Sequence, residues 1–196
     1  MRLVVGISGA TGAIYGVRLM EALHANPEVE THLVITEPGK LTIEHELGIS
    51  VKEVESLACV VHHWTNIGAS ISSGSFKTGG MVIAPCSIKT LSALANSYND
   101  NLLVCAGDAT LKEGRPLIVV VRETPLHVGH LRLMTQLAEM GGVLLPPVPA
   151  FYHHPKTIDD IVNHTVGKIL DRLGLEHNLF ERWAGISGGQ GPGQTR

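Results

Sequence analysis

The stretch GISGATG, residues 6–12, decides the fold because it joins an apolar run to a helical pattern. Leu3–Ile7 has no polar side chain, as in a buried strand, and Gly12–Ala25 repeats apolar residues at helical spacing. A turn rich in Gly, Ser and Thr between two such elements leaves backbone N–H groups free to bind a phosphate. The stretch therefore indicates either a phosphate-bearing ligand or a tight structural turn.

The glycine spacing in this turn disfavours an NAD-dependent dehydrogenase. It is G-x-x-G-x-x-G, whereas dinucleotide-binding proteins have G-x-G-x-x-G. The second predicted strand also ends at Thr36, where such enzymes usually place an acid for the ribose, although Glu37 follows directly. A dinucleotide is thus the weaker hypothesis for the ligand.

The alternation of strand and helix continues along the chain. Five strands are predicted from short apolar runs: Leu3–Ile7, Thr31–Thr36, Gly80–Ala84, Pro116–Val121 and Gly142–Leu145. Seven helices are predicted: Gly12–Ala25, Gly39–Glu46, Val51–Leu57, Ser87–Ser97, Leu102–Lys112, His127–Met140 and Thr157–Leu173. Apolar strands alternating with helices form a parallel sheet that is covered on both faces. The expected fold is a doubly wound α/β sheet in a single domain.

Two segments do not fit this alternation. The polar loop Ile67–Gly79 has a length that is usually either functional or disordered. The Gly-rich end of the chain reads as a flexible tail. We expect one domain over residues 1–184 and a tail over residues 185–196.

Composition limits the partners of the chain. Of its 196 residues, 44 % are hydrophobic and 17 % are charged, against about 25 % charged in an average globular protein. So little surface charge favours a homo-oligomer over a monomer with a large aliphatic core. A net charge of −3 with scattered Lys and Arg gives no footprint for a nucleic acid. Neither a signal peptide nor an apolar run of membrane-spanning length is evident.

Cysteine and histidine patterns give no sign of a metal. Cys59, Cys86 and Cys105 have no CxxC spacing, which disfavours a disulfide framework or a structural zinc site and favours a cytoplasmic protein. The eleven histidines form no HExxH pattern. Asp159-Asp160 is no DDxxD cluster for magnesium and a diphosphate. No metal is expected.

Further candidate groups follow the later strands, at the sheet edge where ligands bind in open parallel sheets. The segment PCSIKT, residues 85–90, places Ser87 as an N-cap and leaves N–H groups free for a phosphate, unless it is only a capped helix. Arg122 and Glu123 are either a phosphate clamp with a proton donor or a surface ion pair. The stiff segment PPVPAFY, residues 146–152, holds Tyr152 in place.

The energetics favour a ligand with an apolar ring. Each helix terminus contributes about 0.3–1 kcal/mol to anion binding, whereas micromolar affinity requires about 8 kcal/mol. A planar ring that buries apolar surface would supply the difference. A mononucleotide such as FMN is therefore favoured over inorganic phosphate.

Six ordered motifs between about residues 2 and 184 resemble one known family. They are GISGATGAIYG, SISSGSF, APCSIKTLSALA, DNLL…LKEGRPL, VRETPLHVGHLRLM and LPPVPAFYHHP. This set resembles the UbiX-type flavin prenyltransferases, including the form that accompanies aromatic-acid decarboxylases. The resemblance implies a flavodoxin-like, Rossmann-like fold that assembles into a dodecamer, with FMN and dimethylallyl monophosphate bound where subunits meet.

The resemblance also implies residue roles and a reaction. FMN would be held by Gly9, Ala10, Thr11, Thr36, Ser87, Ile88, Lys89, Thr90 and Arg122. The prenyl phosphate would be held by Lys112, Lys168, Tyr152 and Arg122. Glu46, Glu123 and Lys112 would be catalytic, with the two acids moving protons. The prenyl group would be joined to N5 and C6 of reduced FMN without a metal, and prenylated FMN would pass to a UbiD-like decarboxylase.

The chain departs from the family pattern at four positions. Cys105 and Lys168 stand where Arg is usual or common, Thr11 where Ser is common, and Ile67 where some members have Trp. Lysine keeps the charge of arginine but loses its bidentate geometry, and Cys105 removes a cation, so we expect weaker affinity for the prenyl phosphate. Two other functions remain open, an FMN-binding carrier and a flavin-dependent aromatic-acid decarboxylase.

Overall fold

The structure, a computed structural model, describes residues 1–183 and 185. Six strands are found: β1 (Arg2–Ile7), β2 (Glu30–Ile35), β3 (Val60–His63), β4 (Met81–Cys86), β5 (Leu117–Val121) and β6 (Val143–Leu144). They form one sheet in the order β3-β2-β1-β4-β5-β6, and every neighbouring pair is parallel. The predicted parallel α/β sheet is confirmed.

Strand β3 is the one strand that the sequence analysis misses. It pairs only with β2 and lies at the edge of the sheet. Its four residues, VVHH, are exposed or half-buried. Because the sequence there shows neither a long apolar run nor a clean in-and-out alternation, it gives no strand signal.

All seven predicted helices are present, with ends shifted by a few residues. They are α1 (Ala13–His24), α2 (Glu37–Leu47), α3 (Val51–Glu55), α4 (Ile88–Ala95), α5 (Leu102–Lys112), α6 (Val128–Glu139) and α7 (Ile158–Arg172). Helix α2 begins two residues before the predicted Gly39, because Thr36 caps it and Pro38 is accommodated in its first turn. Capping chemistry, more than hydrophobic periodicity, sets this boundary.

The sheet carries a buried core on each face. Leu3, Val5 and Ile7 of β1 point to one face and belong to the core that includes α1 and α7. Val4 and Ile83 belong to the core on the other face, which includes α4 and α5. Helices thus cover both faces, as the near-continuous apolar strands predict.

The strand order reverses direction beside β1. The chain runs from β1 outward to β2 and β3, and then crosses to β4 on the other side of β1. The carboxyl ends of β1 and β4 therefore flank a crevice at the topological switch point, the usual ligand position in such sheets.

The polar loop Ile67–Gly79 is ordered by contacts with the start of the sheet and with the segment after α5. It contains one 3-10 turn, Ser70–Ser72, whose Ile71 is buried. The guanidinium of Arg115 donates hydrogen bonds to the carbonyls of Gly74 and Phe76. This loop therefore packs as part of the domain.

No helix among residues 1–183 and 185 is both long and apolar enough to cross a membrane. In the same part of the chain, no three His, Cys, Asp or Glu side chains cluster in a way that would hold a metal ion. Of the tail predicted at residues 185–196, only Gly185 belongs to the described residues, and the rest lies outside them.

Candidate active site

A cavity of about 270 Å³ opens at the switch point, beyond the carboxyl ends of β1, β2 and β4. Its lining residues come from the first turn (residues 8–12, between β1 and α1), the start of α2, the loop after β3, helix α4 and the start of α5. They are Gly9, Thr36, Pro38, Trp64, Ser87, Lys89, Thr90, Ala93, Asp100, Asn101 and Val104. The position is the one expected for a ligand of an open parallel sheet.

Five of the residues predicted to bind FMN meet in this cavity. They are Gly9, Thr36, Ser87, Lys89 and Thr90. The other four, Ala10, Thr11, Ile88 and Arg122, are not among its described lining residues. The five residues are far apart in the sequence, and they meet because the carboxyl ends of parallel strands lie at one edge of the sheet.

Ser8 connects the two anion-ready turns of the cavity. Its buried hydroxyl donates to the carbonyl of Pro85 at 2.9 Å and accepts from the N–H of Ser87 at 2.8 Å. Ser87 in turn caps α4, since its Oγ accepts from the N–H of Thr90 at 3.3 Å. The N–H groups of Ile88 and Lys89 lie in the first turn of α4, where the helix itself provides no acceptor, so they are available to an anion.

Glycine is required at position 9 because the turn passes directly over α2. A Cβ on Gly9 would collide with the ring of Pro38. The turn and the start of α2 therefore lie in contact, and both border the cavity. Any side chain here would push the first turn out of its place.

The N-terminus of α1 holds a carboxylate of this chain. Glu46 Oε2 accepts hydrogen bonds from the N–H groups of Gly12 at 2.8 Å and Ala13 at 3.0 Å. The free N–H groups that the sequence analysis attributes to the first turn are thus partly used by Glu46. For an incoming phosphate, the start of α4 is the more open of the two helix ends.

Arg122 lies beside the same turn. Its Cγ is 4.0 Å from the place where a Cβ on Gly12 would stand. Burial raises the pKa of Tyr15, and the positive charge of Arg122 partly opposes this rise. Glu123 is exposed, and its carboxylate accepts from the N–H of Thr124 at 3.1 Å. Arg122 and Glu46 therefore approach the first turn together, outside the cavity.

Lys112 lies at the other end of the domain in a single chain. It is the last residue of α5, whose N-cap Asn101 lines the cavity. An eleven-residue helix is about 16 Å long. Lys112 is therefore about a helix length away from the cavity of its own chain.

Tyr152 and Lys168 belong to a second region, next to α7. Lys168 lines a groove of about 540 Å³ together with Leu145, Pro146 and His164. The phenol oxygen of Tyr152 lies 2.7 Å from Nε2 of His164. The groups predicted to hold the prenyl phosphate are thus spread over separate surfaces of one chain.

Several residues of the cavity are not among those predicted from the sequence, and Trp64 is the largest of them. Its carbonyl accepts from the N–H of Leu102 at 2.8 Å, which fixes it against the start of α5. Ile67, which stands where some family members have Trp, is 58 % exposed. Trp64, three residues earlier, is the aromatic side chain that lines the cavity, at a position with no functional prediction from the sequence. Lys89 also pairs with Asp100, at 3.6 Å.

Comparison with known proteins places the chain in a family. Residues 1–170 match the Flavoprotein family. A flavin prenyltransferase UbiX from Thauera aromatica is 59 % identical over 185 residues, covering 94 % of this chain and 95 % of that protein. The flavin prenyltransferase UbiX of Escherichia coli K12 is 58 % identical over 186 residues, covering 94 % and 98 %.

The chain belongs to the UbiX flavin prenyltransferase family.

Solved structures of UbiX proteins agree with this assignment. A dodecameric FMN-dependent UbiX-like decarboxylase from Escherichia coli O157:H7 superposes with a TM-score of 0.93 at 50 % identity, over 94 % of this chain and all (100 %) of that one. AnUbiX (PadA1), in complex with FMN and dimethylallyl pyrophosphate, has a TM-score of 0.92 at 43 % identity, over 94 % and 98 %. The predicted family, the UbiX-type fold and the prenyltransferase function are confirmed.

The residues of the cavity fit a UbiX flavin chemically. The helix start at Ser87–Thr90 and the Lys89 ammonium offer donors to a phosphate. Trp64, Ala93 and Val104 offer apolar wall to a planar ring. A phosphate-bearing aromatic ligand matches this combination better than a phosphate alone.

Proposed function

We propose that this protein transfers the dimethylallyl group of dimethylallyl monophosphate to N5 and C6 of reduced FMN. The observation that carries this proposal is the cavity at the switch point, which assembles Gly9, Thr36, Ser87, Lys89 and Thr90 in a chain 59 % identical to a flavin prenyltransferase. The complex of AnUbiX with FMN and dimethylallyl pyrophosphate, at 43 % identity, supports both substrates.

Reduced FMN supplies the nucleophilic ring atoms, and the chain positions it. We assign its phosphate to the N–H groups at the start of α4, with Ser87, Lys89 and Thr90. Its ring would lie towards Trp64 and Val104, the apolar part of the cavity. Ala10, Thr11, Ile88 and Arg122 complete the predicted set through the first turn, the α4 backbone and the end of β5.

Departure of phosphate from the prenyl donor requires its negative charge to be neutralised. Lys112, Lys168, Arg122 and the phenol of Tyr152 are donors of the right kind, and they need no metal for this task. Lysine and arginine stabilise the phosphate by charge, and the tyrosine fixes one oxygen by a hydrogen bond. The allylic group would meanwhile lie in an apolar, water-poor space.

These donors come together only if neighbouring copies share a site. Lys112 lies at the far end of α5, and Lys168 lines the groove beside α7. Three large apolar side chains within six residues of Tyr152 in the sequence are exposed: Val148 at 69 %, Phe151 at 68 % and Ile158 at 79 %. Such a surface suits burial against another copy. We therefore propose a homo-oligomer, a dodecamer like the UbiX-like decarboxylase of Escherichia coli O157:H7, with sites between subunits.

Glu46 and Glu123 are the proposed acids. The carboxylate of Glu46 accepts hydrogen bonds from the N–H groups of Gly12 and Ala13, so it is fixed in direction. As a carboxylate it is suited to receive the proton that is released when the new ring closes, and once protonated it can give a proton to the departing phosphate. Glu123 follows Arg122 at the end of β5 and is exposed in the single chain.

We also propose where the product goes. Prenylated FMN would pass to a UbiD-like aromatic-acid decarboxylase, the partner that the motif resemblance implies. We place the protein in the cytoplasm, in keeping with its three unpaired thiols, Cys59, Cys86 and Cys105.

The deciding experiment is mass spectrometry of the flavin extracted after anaerobic incubation of the protein with reduced FMN and dimethylallyl phosphate. Glu46→Gln is run in parallel, with Glu44→Gln as the matched control, because Glu44 is an exposed acid on the same helix. We expect a prenylated flavin from wild type and Glu44→Gln, and little from Glu46→Gln. Unmodified FMN from all three proteins would favour the carrier function instead.

A further inference from the structure

His164 is the hydrogen-bond partner of the Tyr152 phenol. Its Nε2 lies 2.7 Å from the phenol oxygen. His164 is only 8 % exposed, whereas Tyr152 is 44 % exposed. The exposed phenol therefore contacts a buried imidazole. His164 lies outside the six motifs, and the proposed function assigns it no role.

Aromatic neighbours fix the ring of His164. The ring of His153 stacks on it at a centroid distance of 4.8 Å and an angle of 7°. Phe180 lies 4.7 Å away at 49°, and the ring of Tyr152 packs edge-on against it at 5.5 Å. Packing on these sides holds the plane of the ring, and the contact with the phenol oxygen directs Nε2 before any ligand arrives.

The same ring borders the groove that contains Lys168. His164 and Lys168 are four residues apart on α7 and therefore lie on one face of the helix. Both line the groove of about 540 Å³. The ammonium of Lys168 is half-exposed and lies 3.5 Å from Asp171. A cation thus stands one helical turn from the imidazole that holds Tyr152.

The number of protons decides what the phenol can do. A tyrosine hydroxyl has one proton, and if it donates that proton to His164, none is left for an anion. A neutral His164 with its proton on Nε2 instead donates to the phenol oxygen and leaves the hydroxyl proton free. Burial lowers the pKa of His164. The charges of His153 and Lys168 lower it further and that of Asp171 opposes them, so the net shift favours the neutral imidazole.

We propose that His164 is a positioning residue that donates its Nε2–H to Tyr152, so that the phenol donates its own proton to the prenyl phosphate beside Lys168. The inference rests on the proposed function, because that function places the phosphate at Tyr152 and Lys168. It adds a residue that touches no substrate and acts only through the tyrosine.

The test measures binding without turnover. Dimethylallyl phosphate is titrated by calorimetry into the full oligomeric protein loaded with oxidised FMN. His164→Phe removes the N–H that holds the phenol oxygen, so the phenol is no longer directed at the phosphate, and we expect binding to weaken by up to about ten-fold, the worth of one hydrogen bond to an anion. His164→Gln, whose amide N–H can still donate to the phenol, should stay within about two-fold of wild type. His164→Phe should add nothing further in a Tyr152→Phe background, and FMN affinity should be unchanged.

Three results would overturn the inference. Equal weakening by His164→Phe and His164→Gln would mean that the imidazole only packs. Unchanged binding in His164→Phe, or full additivity with Tyr152→Phe, would mean that the tyrosine works without it. Failure of the proposed function looks different, since wild type would then bind dimethylallyl phosphate but form no prenylated flavin with reduced FMN, or would not bind it at all.

Discussion

The carboxylate of Glu46 accepts a hydrogen bond from the backbone N–H of Gly12 at 2.8 Å, which ties the end of α2 to the start of α1. Gly12 has a φ of 90°, in the left-handed region, and has no side chain with which to cap α1. Glu46 therefore acts as the cap from 34 residues away. The same carboxyl group is both a structural cap and the proposed acid.

Removing the charge of Glu46 should cost stability as well as activity. An anion at a helix N-terminus contributes about 0.3–1 kcal/mol, so Glu46→Gln should lower the free energy of unfolding by about that amount. Urea denaturation measures it, with Glu44→Gln as the control that should resemble wild type. If both variants unfold like wild type, the carboxylate does not cap α1 in solution.

Ser8 should be needed to hold the two turns of the cavity in place, although it is not one of the residues predicted to bind FMN. Its hydroxyl bridges Pro85 and Ser87, both 77 or more residues away in the chain. Ser8→Ala leaves the part-buried N–H of Ser87 without its partner, and we expect a loss of about 1 kcal/mol in stability and weaker FMN binding. Ser56→Ala, at an exposed serine, is the control. Unchanged FMN affinity would show that the two turns hold their places without the bridge.

Trp64 should report flavin binding directly. Because it lines the cavity, we expect its fluorescence to be quenched when FMN is titrated into the protein. Trp183→Phe leaves Trp64 as the single tryptophan and isolates this signal. Trp64→Ala should weaken FMN binding by about ten-fold and Trp64→Phe by less, in line with the usual worth of an aromatic stack. Unquenched Trp64 fluorescence at saturating FMN would place the flavin elsewhere.

Arginine at position 105 should improve the use of the prenyl donor. Cys105 is half-buried on α5, next to Val104, which lines the cavity. Cys105→Arg adds the cation that is usual in the family at this position. One ion pair contributes about 1 kcal/mol, so we expect the KM for dimethylallyl phosphate to fall by about five-fold. Cys59→Arg adds the same charge at an exposed position and should change nothing. An unchanged KM in Cys105→Arg would remove this position from the site.

Because of Asp171, the free energy of unfolding should depend on pH between 3.8 and about 2. Hydrogen bonds from Arg182 and His177, with the charge of Lys168, hold its pKa at about 2, below its ordinary 3.8. The stabilisation is therefore present above pH 3.8 and is lost as pH falls through 2. Asp171→Asn should lower the urea midpoint at pH 7, and the gap to wild type should narrow between pH 4 and about 2. A gap that is constant with pH would mean that the charge is not responsible.

The sequence alone was sufficient for the parallel α/β sheet, its seven helices and the sheet edge at which the cavity opens. These follow from local information, since apolar periodicity and capping residues act over a few neighbouring positions. The edge strand β3 is not predicted, because its exposed VVHH segment carries no periodic signal. The family resemblance added residue roles that periodicity cannot provide.

Only the tertiary structure decided which of those residues meet. It brings Gly9, Thr36 and Lys89 into one cavity, adds Trp64, and places Lys112 at the far end of α5. It also turns Glu46 onto the N-terminus of α1 and Tyr152 onto His164. Each of these contacts joins groups that are distant in the chain. Which donor meets which acceptor depends on how the packed elements are stacked, and no local pattern of side chains encodes that.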